Sequence, residues 1–347
     1  MQKKGNKYGT HRVIEPKGVL PQPADKLNND MSEIYDNEIL IDVKTLNIDS
    51  ASFTDISTRA GGDEEKIKQI MFDIVAKQGK HRNPWTGSGG MLLGVVEKIG
   101  DAIKDKINLK EGDKIATLVS LSLTPLRIDK IKEIRKDVDQ VDIDGKAILF
   151  ESGIYAKIPA DMPEKLALSA LDVAGAPAQT AKLVKPGDTV LIIGAGGKSG
   201  MLCCYEAKKR AGITGKVIGL CGSEKSAYRL NKLGFCNHVF VANATQPVPV
   251  LEKIEALTNG KMCDITINNV NIPDTEMTSI LCTKDTGTVY FFSMATSFTK
   301  AALGAEGVGS DVTMLVGNGY TKGHAEITLQ ELRESPELRQ IFEEMYA

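Results

Sequence analysis

The sequence predicts an α/β chain in two parts, a doubly wound parallel sheet preceded by a separate, mostly β domain. Three observations carry this expectation. The 347 residues exceed the roughly 100–200 that one core usually takes. From residue 189 onward, short apolar runs alternate with helical stretches, the pattern of right-handed βαβ crossovers. Before residue 158, apolar runs are separated by turns containing Gly and Asp, without that alternation.

Taken in order, the first half holds strand-like runs at 38–46, 91–99, 114–119 and 147–150. The stretch 126–141 is charged and rich in Lys, Ile and Asp, and is expected to be a surface excursion with some helix. The second half holds six apolar runs, at 189–193, 216–221, 238–241, 263–268, 288–292 and 312–316, with helical stretches at 200–211, 225–233 and 250–258. Ser335-Pro336-Glu337 places a cap, a proline and an acid in the order that starts a helix. That helix, running to Ala347, is expected to return to the first domain. The expected domains are therefore 1–158 with a return over 318–347, and 159–317.

Composition narrows the class. With 42% hydrophobic and 25% charged residues the chain is that of an ordinary folded soluble protein. A net charge of -2 gives no electrostatic reason to expect nucleic acid or a membrane surface as partner. No apolar run approaches the roughly 20 residues that span a bilayer, and the lysine-rich start resembles no signal peptide. The expected location is the cytoplasm, with the six cysteines as thiols. Without a C-x-x-C pair, they read as buried small hydrophobes.

The strongest chemical signal follows Lys185-Pro186-Gly187-Asp188. The run 189–193 enters Gly194-Ala195-Gly196-Gly197-Lys198-Ser199-Gly200, which opens a helix. Glycine serves where backbone turns tightly or must approach a pyrophosphate without a Cβ in the way, and the helix N-terminus offers N–H groups to phosphate. Between a buried-type strand and a helix, with a second strand about 20 residues on, this is a Rossmann dinucleotide site. Gly194, Gly197 and Gly200 read as G-x-x-G-x-x-G, with Gly196 an extra permissive position. The second strand ends Cys221-Gly222-Ser223 without the acid that usually binds a ribose. Ser223 and Glu224 suit NAD while Lys225 or Arg229 suits the 2′-phosphate of NADP, so both cofactors stay open. Asn268, Asn269, Ser293 and Met294 end later strands and are expected to face the cofactor.

The run 183–200, the turn Glu111-Gly112-Asp113 and the segment 153–159 resemble the medium-chain dehydrogenase/reductase superfamily across most of the chain. That resemblance implies a GroES-like first domain. Zinc-dependent members draw one ligand from a Cys-His-Thr-Asp-like motif and others from a Gly-His-Glu motif. The matching stretches here are Ser52-Phe53-Thr54-Asp55 and Gly89-Gly90-Met91, and Ser, Phe, Gly and Met are not zinc ligands. The structural zinc lobe is missing as well, because no cysteine precedes Cys203. No metal is expected. Chemistry without that Lewis acid favours amines over alcohols, since a neutral amine can expel hydride through its own lone pair.

The opening segment, from Gly9-Thr10-His11-Arg12-Val13-Ile14-Glu15-Pro16-Lys17 to Pro23, resembles the N-terminus of the 3,5-diaminohexanoate dehydrogenase family of anaerobic lysine fermentation; 171–185 and 122–127 are similar too. The resemblance implies NAD-dependent oxidative deamination at C3, giving 5-amino-3-oxohexanoate and ammonia. For such a substrate Arg12 or Lys17 is expected to hold the carboxylate, and Glu15, Asp55 or Glu151 an ammonium. Thr54 matches a proton-relay hydroxyl of alcohol-oxidising relatives, with Ser52 and Asp55 beside it in sequence. His81 precedes the former metal motif and is a candidate for the substrate pocket, while Trp85 reads equally as core or substrate wall.

Two rivals remain open at this stage. One is a zinc-free quinone or enoyl reductase using NADPH, whose pocket should be greasier. The other is a non-catalytic nucleotide-binding protein. By analogy a homodimer or homotetramer is expected, with 312–316 as a pairing sheet edge.

Overall fold

The computed structural model describes residues 2–317 and 319–346. The chain divides into two compact units after Leu168, ten residues beyond the expected boundary at 158. The extra residues stay with the first unit because Glu164 forms an ion pair with Lys114 and Ile158 N–H donates to the Lys114 carbonyl.

The first unit holds β1 (Val13–Glu15), β2 (Lys26–Leu27), β3 (Glu38–Asn47), α1 (Ser50–Arg59), α2 (Glu64–Gln78), β4 (Met91–Ile99), β5 (Lys114–Thr117), β6 (Leu126–Arg135), β7 (Gln140–Phe150) and β8 (Tyr155–Lys157). β1 and β2 form a small ribbon, and the rest form an antiparallel sheet in the order β6-β7-β3-β4-β5-β8. The domain is mostly β, as expected, but it also carries two helices that cover the sheet. Phe53, Ile56, Ile67, Met71 and Ile74 join Ile41, Leu46, Leu92 and Ile143 in one core. α2 has local signals at both ends: the Asp63 side chain accepts from Lys66 N–H, and Gly79 closes it at φ 68°.

The stretch 126–141 differs from expectation: it is one arm and the turn of a long hairpin, β6 and β7. Its inward residues Leu126, Ile128, Ile131 and Ile134 sit two, then three, then three apart. Register shifts at 128/130 and 131/133 insert the extra residues, so a bulged strand carries a spacing that resembles a helix.

After α3 (Glu164–Leu171), which spans the division, the second unit holds α4 (Gly175–Leu183), β9 (Thr189–Ile193), α5 (Lys198–Ala211), β10 (Lys216–Cys221), α6 (Glu224–Leu233), β11 (His238–Val241), α7 (Pro247–Thr258), β12 (Cys263–Asn268), α8 (Glu276–Leu281), β13 (Thr283–Phe291), α9 (Phe298–Val308), β14 (Thr313–Val316), α10 (His324–Glu334) and α11 (Pro336–Tyr346). Its parallel sheet runs β11-β10-β9-β12-β13-β14, which is the doubly wound order with the first strand at the centre. Every strand run expected in this half is a strand.

The C-terminal return is not as expected. α10 packs on α4 and α5 and carries α11, so this segment groups with the second unit. Buried Ala325, Leu329 and Leu332 give α10 its apolar stripe, Thr328 Oγ1 donates to the Ala174 carbonyl, and Lys209 and Tyr205 hold Glu334. Asn318 and Ala347, the first and last residues of the expected return, lie outside the described residues, as does Met1. Ser335 does cap α11, its Oγ accepting from Leu338 N–H. Five cysteines are buried and all six are free; burial pushes the Cys203 thiol up to about 12, so it is an inert core group.

Candidate active site

In the second unit the glycine turn is built as its sequence requires. Gly194 has φ 80°, in the left-handed region that favours glycine. A Cβ on Gly200 would lie 2.1 Å from the Gly194 carbonyl oxygen, and one on Gly196 would lie 2.7 Å from Ser226 Cβ. The loop therefore lies flat against both α5 and α6, with Gly197 as the N-cap of α5. The first N–H groups of that helix have no partners of their own within it, and Ser199 sits buried in its first turn. Lys198 contributes backbone only, because its ammonium is 2.7 Å from Asp172 and lies over the Tyr346 ring.

Other expected cofactor residues divide clearly. Asn268 is a correction: its amide donates to Thr275 Oγ1 and Ser279 Oγ at 2.8 and 3.0 Å in full burial, so it braces the end of β12. Asn269 differs. Its backbone N–H donates to Ile193, beside Gly194, and its buried side-chain Nδ2 has no partner. Ser293 Oγ accepts from Ala295 N–H in a half-buried turn. Ser223 caps α6 by accepting from Ser226 N–H, and it stands exposed with Glu224 and Lys225 past the end of β10. Arg229, weighed for a 2′-phosphate, instead donates from Nη2 to the Gly196 carbonyl at 2.6 Å. A cradle that a Cβ would fill, together with an orphaned amide donor beside it, fits a dinucleotide.

In the first unit Ser52, which lies in one of the stretches matching the metal motifs, joins a hydroxyl ring. Ser52, on α1, is fully buried, and its Oγ lies 2.7 Å from Thr86 Oγ1 and 2.6 Å from Ser88 Oγ. Thr86 and Ser88 are 3.1 Å apart, and Thr86 is exposed. Asn83 ties this ring to Asp55, donating 3.1 Å to Asp55 Oδ2 and accepting from the backbone of Trp85 and Thr86. Arg59 Nε donates to both Asp55 oxygens, and its guanidinium stacks 3.7 Å over Trp85. Hydrogen bonds from Arg59, outweighing the small effect of burial and joined by Asn83, hold the Asp55 carboxyl below its ordinary range. Asp55 is thus a fixed anion and a weak base. Thr54 is exposed on α1, and Trp85 is 52% exposed, which excludes it from the core.

The N-terminal candidates are placed otherwise than expected. Arg12 is a correction: it is buried, with Nε and Nη2 on Glu38 and with Nη1 and Nη2 on the carbonyls of Asp30 and Glu33, so its fork is full. Lys17 donates to the nearby Val13 carbonyl, Glu15 is exposed on β1, and exposed Glu151 accepts from Asn37. The structure does not gather these four with the ring. His81 is fully buried behind Gly89, with neither ring nitrogen partnered; burial, only partly offset by the carbonyls of His81 and Gly89, lowers it to about 4. Its neighbour Lys80 is also buried and donates to the carbonyls of Pro21 and Gln22, and burial lowers it to about 8.

Sequence reasoning missed Thr86, Ser88, Asn83 and Arg59. Only the Asn83-Pro84 turn signal and the Asp55/Arg59 spacing of four hinted at them.

Comparison with known proteins fits this geometry. The family model for the L-erythro-3,5-diaminohexanoate dehydrogenase N-terminal domain matches residues 11–159. The chain is 67% identical over 343 residues to the L-erythro-3,5-diaminohexanoate dehydrogenase of Acetoanaerobium sticklandii, covering 99% of both chains. It is 64% identical over 344 residues to that of Fusobacterium nucleatum subsp. nucleatum, again covering 99% of both. Among solved structures, Escherichia coli quinone oxidoreductase complexed with NADPH superimposes with a TM-score of 0.51 at 17% identity, over 90% of this chain and 81% of that one. The last likeness shows the shared fold; the two relatives at 67% and 64% identity show that the chain belongs to the L-erythro-3,5-diaminohexanoate dehydrogenase family, and hence to the oxidoreductases.

Proposed function

We propose that the chain oxidises L-erythro-3,5-diaminohexanoate at C3, with NAD as acceptor and without catalytic zinc, releasing 5-amino-3-oxohexanoate and ammonia. The observation that carries this is the 67% identity over 99% of both chains to a dehydrogenase of that name.

A nicotinamide dinucleotide, when bound, supplies the hydride acceptor. The backbone of Gly194, Gly196, Gly197, Lys198, Ser199 and Gly200 holds its pyrophosphate, and Asn269 Nδ2 gains the acceptor it lacks. Exposed Ser223 and Glu224 serve the ribose of NAD, with Arg229 withdrawn to Gly196 rather than offered to a 2′-phosphate.

At the substrate, the C3 ammonium first gives up a proton to water, nitrogen's lone pair then expels hydride to the nicotinamide acceptor, and water hydrolyses the resulting iminium to ketone and ammonium. By the sequence resemblance, Ser52, Gly90 and Met91 match ligand positions of zinc-dependent medium-chain dehydrogenases, and none is a zinc ligand. The chain's own residues then have two tasks. Asp55, ionised and fixed by Arg59 and Asn83, attracts an ammonium. The ring of Ser52, Thr86 and Ser88 passes a proton between buried Ser52 and exposed Thr86, and exposed Thr54 on α1 offers a separate hydroxyl.

Two further expectations belong to this proposal. β14 is an edge strand with Val316 72% exposed, which supports pairing of two copies there as a homodimer, singly or within a homotetramer. Among the described residues no helix is long and apolar enough to cross a membrane, and a cytoplasmic place in lysine fermentation is proposed with that fact.

The test is to incubate the chain with NAD and 3,5-diaminohexanoate and record reduced nicotinamide and ammonia. A signal no greater than that for lysine or simple alcohols defeats the substrate assignment. Stoichiometric zinc whose removal abolishes turnover defeats the zinc-free chemistry.

A further inference from the structure

The second unit contains a cavity of about 290 Å³ that neither the glycine turn nor the hydroxyl ring uses. It lies between α4, the ends of β13 and β14, and residues Gly317 and Tyr320–Lys322, with Gln179, Lys182, Tyr290, Gly317, Thr321 and Lys322 in its wall. At this size it admits only a small ligand.

Its chemistry is one-sided. Lys182 and Lys322 both line it, no carboxylate does among the described residues, and neither lysine has an ion-pair partner among them. Tyr290 is 2% exposed, yet its hydroxyl makes no hydrogen bond among the described residues. The ring is buried while the hydroxyl reaches the cavity, so a ligand there can take up its hydrogen bond. Gly317 keeps that hydroxyl open to the cavity: a Cβ there would lie 2.7 Å from Tyr290 Oη. Thr321 Oγ1 donates to Gln179 Oε1 at 2.9 Å, which leaves the Gln179 NH₂ as a further donor. Two exposed lysines, a phenol and an amide N–H thus line one cavity that has no carboxylate in its wall among the described residues.

We propose that this cavity binds a compact oxyanion, a carboxylate or a phosphate group, held between Lys182 and Lys322 and accepting a hydrogen bond from Tyr290 Oη. The site is separate from the dinucleotide turn and does not depend on the proposed substrate. Charge-assisted bonds from two ammonium groups bring affinity, and the buried phenol brings direction.

The test is calorimetric titration of the full chain with inorganic phosphate and, separately, with succinate, at ionic strength held constant with chloride. Saturable binding of one or both is expected, and the anion preferred identifies the ligand's acidic group. In Lys182→Gln/Lys322→Gln the cavity affinity should fall by about tenfold or more. Tyr290→Phe should weaken binding while leaving the unliganded melting temperature equal or higher, because it removes a hydroxyl with no internal partner. Absence of saturable binding to either anion overturns the proposal. So does phosphate binding that survives undiminished in the double lysine variant, which would place it at the glycine turn. A Tyr290→Phe protein that melts lower and binds normally removes the phenol from the site.

Discussion

Arg12 and Glu38 form a buried fork-to-fork pair: Nε and Nη2 of the arginine lie 2.8 and 2.7 Å from the two carboxylate oxygens, and each side chain is at most 1% exposed. His11 completes it. Its Nδ1 accepts from Asn6 N–H, so its Nε2 carries the proton and donates to Glu38 Oε1 at 2.7 Å. Burial alone would raise the Glu38 carboxyl, but hydrogen bonds from Arg12 and His11 more than reverse this and lower it. The segment that most resembles the family is therefore an anchor for the loops at Asp30 and Glu33.

Breaking this pair should cost stability before it touches catalysis. Arg12→Met leaves the buried Glu38 carboxylate without its cation, with only His11 and the Tyr35 N–H still donating to it, which costs about 3–5 kcal/mol. The denaturant midpoint should fall sharply, while KM of the protein that stays folded is unchanged. A raised KM at unchanged stability would return Arg12 to the substrate.

His81 should govern stability on the acid side. Its native pKa of about 4 lies below the ordinary 6.5, so its contribution is present above pH 6.5 and is lost as pH falls toward 4. One proton over that window amounts to on the order of 3 kcal/mol. His81→Leu should flatten this acid limb in urea titrations run at several pH values, and an unchanged limb would show that other groups produce it.

Glu331 acts in the opposite direction. It is 1% exposed, neither carboxylate oxygen has a partner, and burial together with neighbouring Glu206 raises its pKa well above the ordinary value. Stability from its neutral form is present at low pH and is lost as pH rises through the native pKa. Glu331→Leu should gain about 1–3 kcal/mol at pH 8, and less at pH 4. Melting curves at the two pH values compare them directly.

Gly200→Ala drives a methyl group into the Gly194 carbonyl, 2.1 Å away, and must push α5 off the turn. Affinity for the reduced dinucleotide, followed by its fluorescence, should drop about tenfold or more as the N–H groups lose alignment.

Ser52→Ala opens the hydroxyl ring without altering charge. If the ring carries protons, kcat should fall about 100-fold with KM little changed, and pre-steady-state traces should show slowed formation of reduced nicotinamide. An unaltered kcat would make Ser52 a packing residue of α1.

The glycine turn was legible because every part of it is local. Strand, turn and helix succeed one another within twelve residues, from Thr189 to Gly200, and both Gly194 φ and the Gly200 approach are properties of that short piece of backbone. The strands of the second unit were legible for the same reason. The hairpin at 126–141 was not, because its bulges exist only through pairing with β7.

The sequence by itself determined the parallel sheet, the dinucleotide turn and the absence of zinc-ligand residues at the matching positions, since period, glycine placement and residue chemistry act along the chain. Only tertiary structure decided which polar groups were left to act. Arg12 looked available until Glu38, 26 residues away, filled its fork; Ser52 was a catalytic candidate whose partners, Thr86 and Ser88, 34 and 36 residues away, only the fold brought around it. A buried donor takes whichever acceptor the fold brings within about 3 Å, and sequence separation does not determine that meeting.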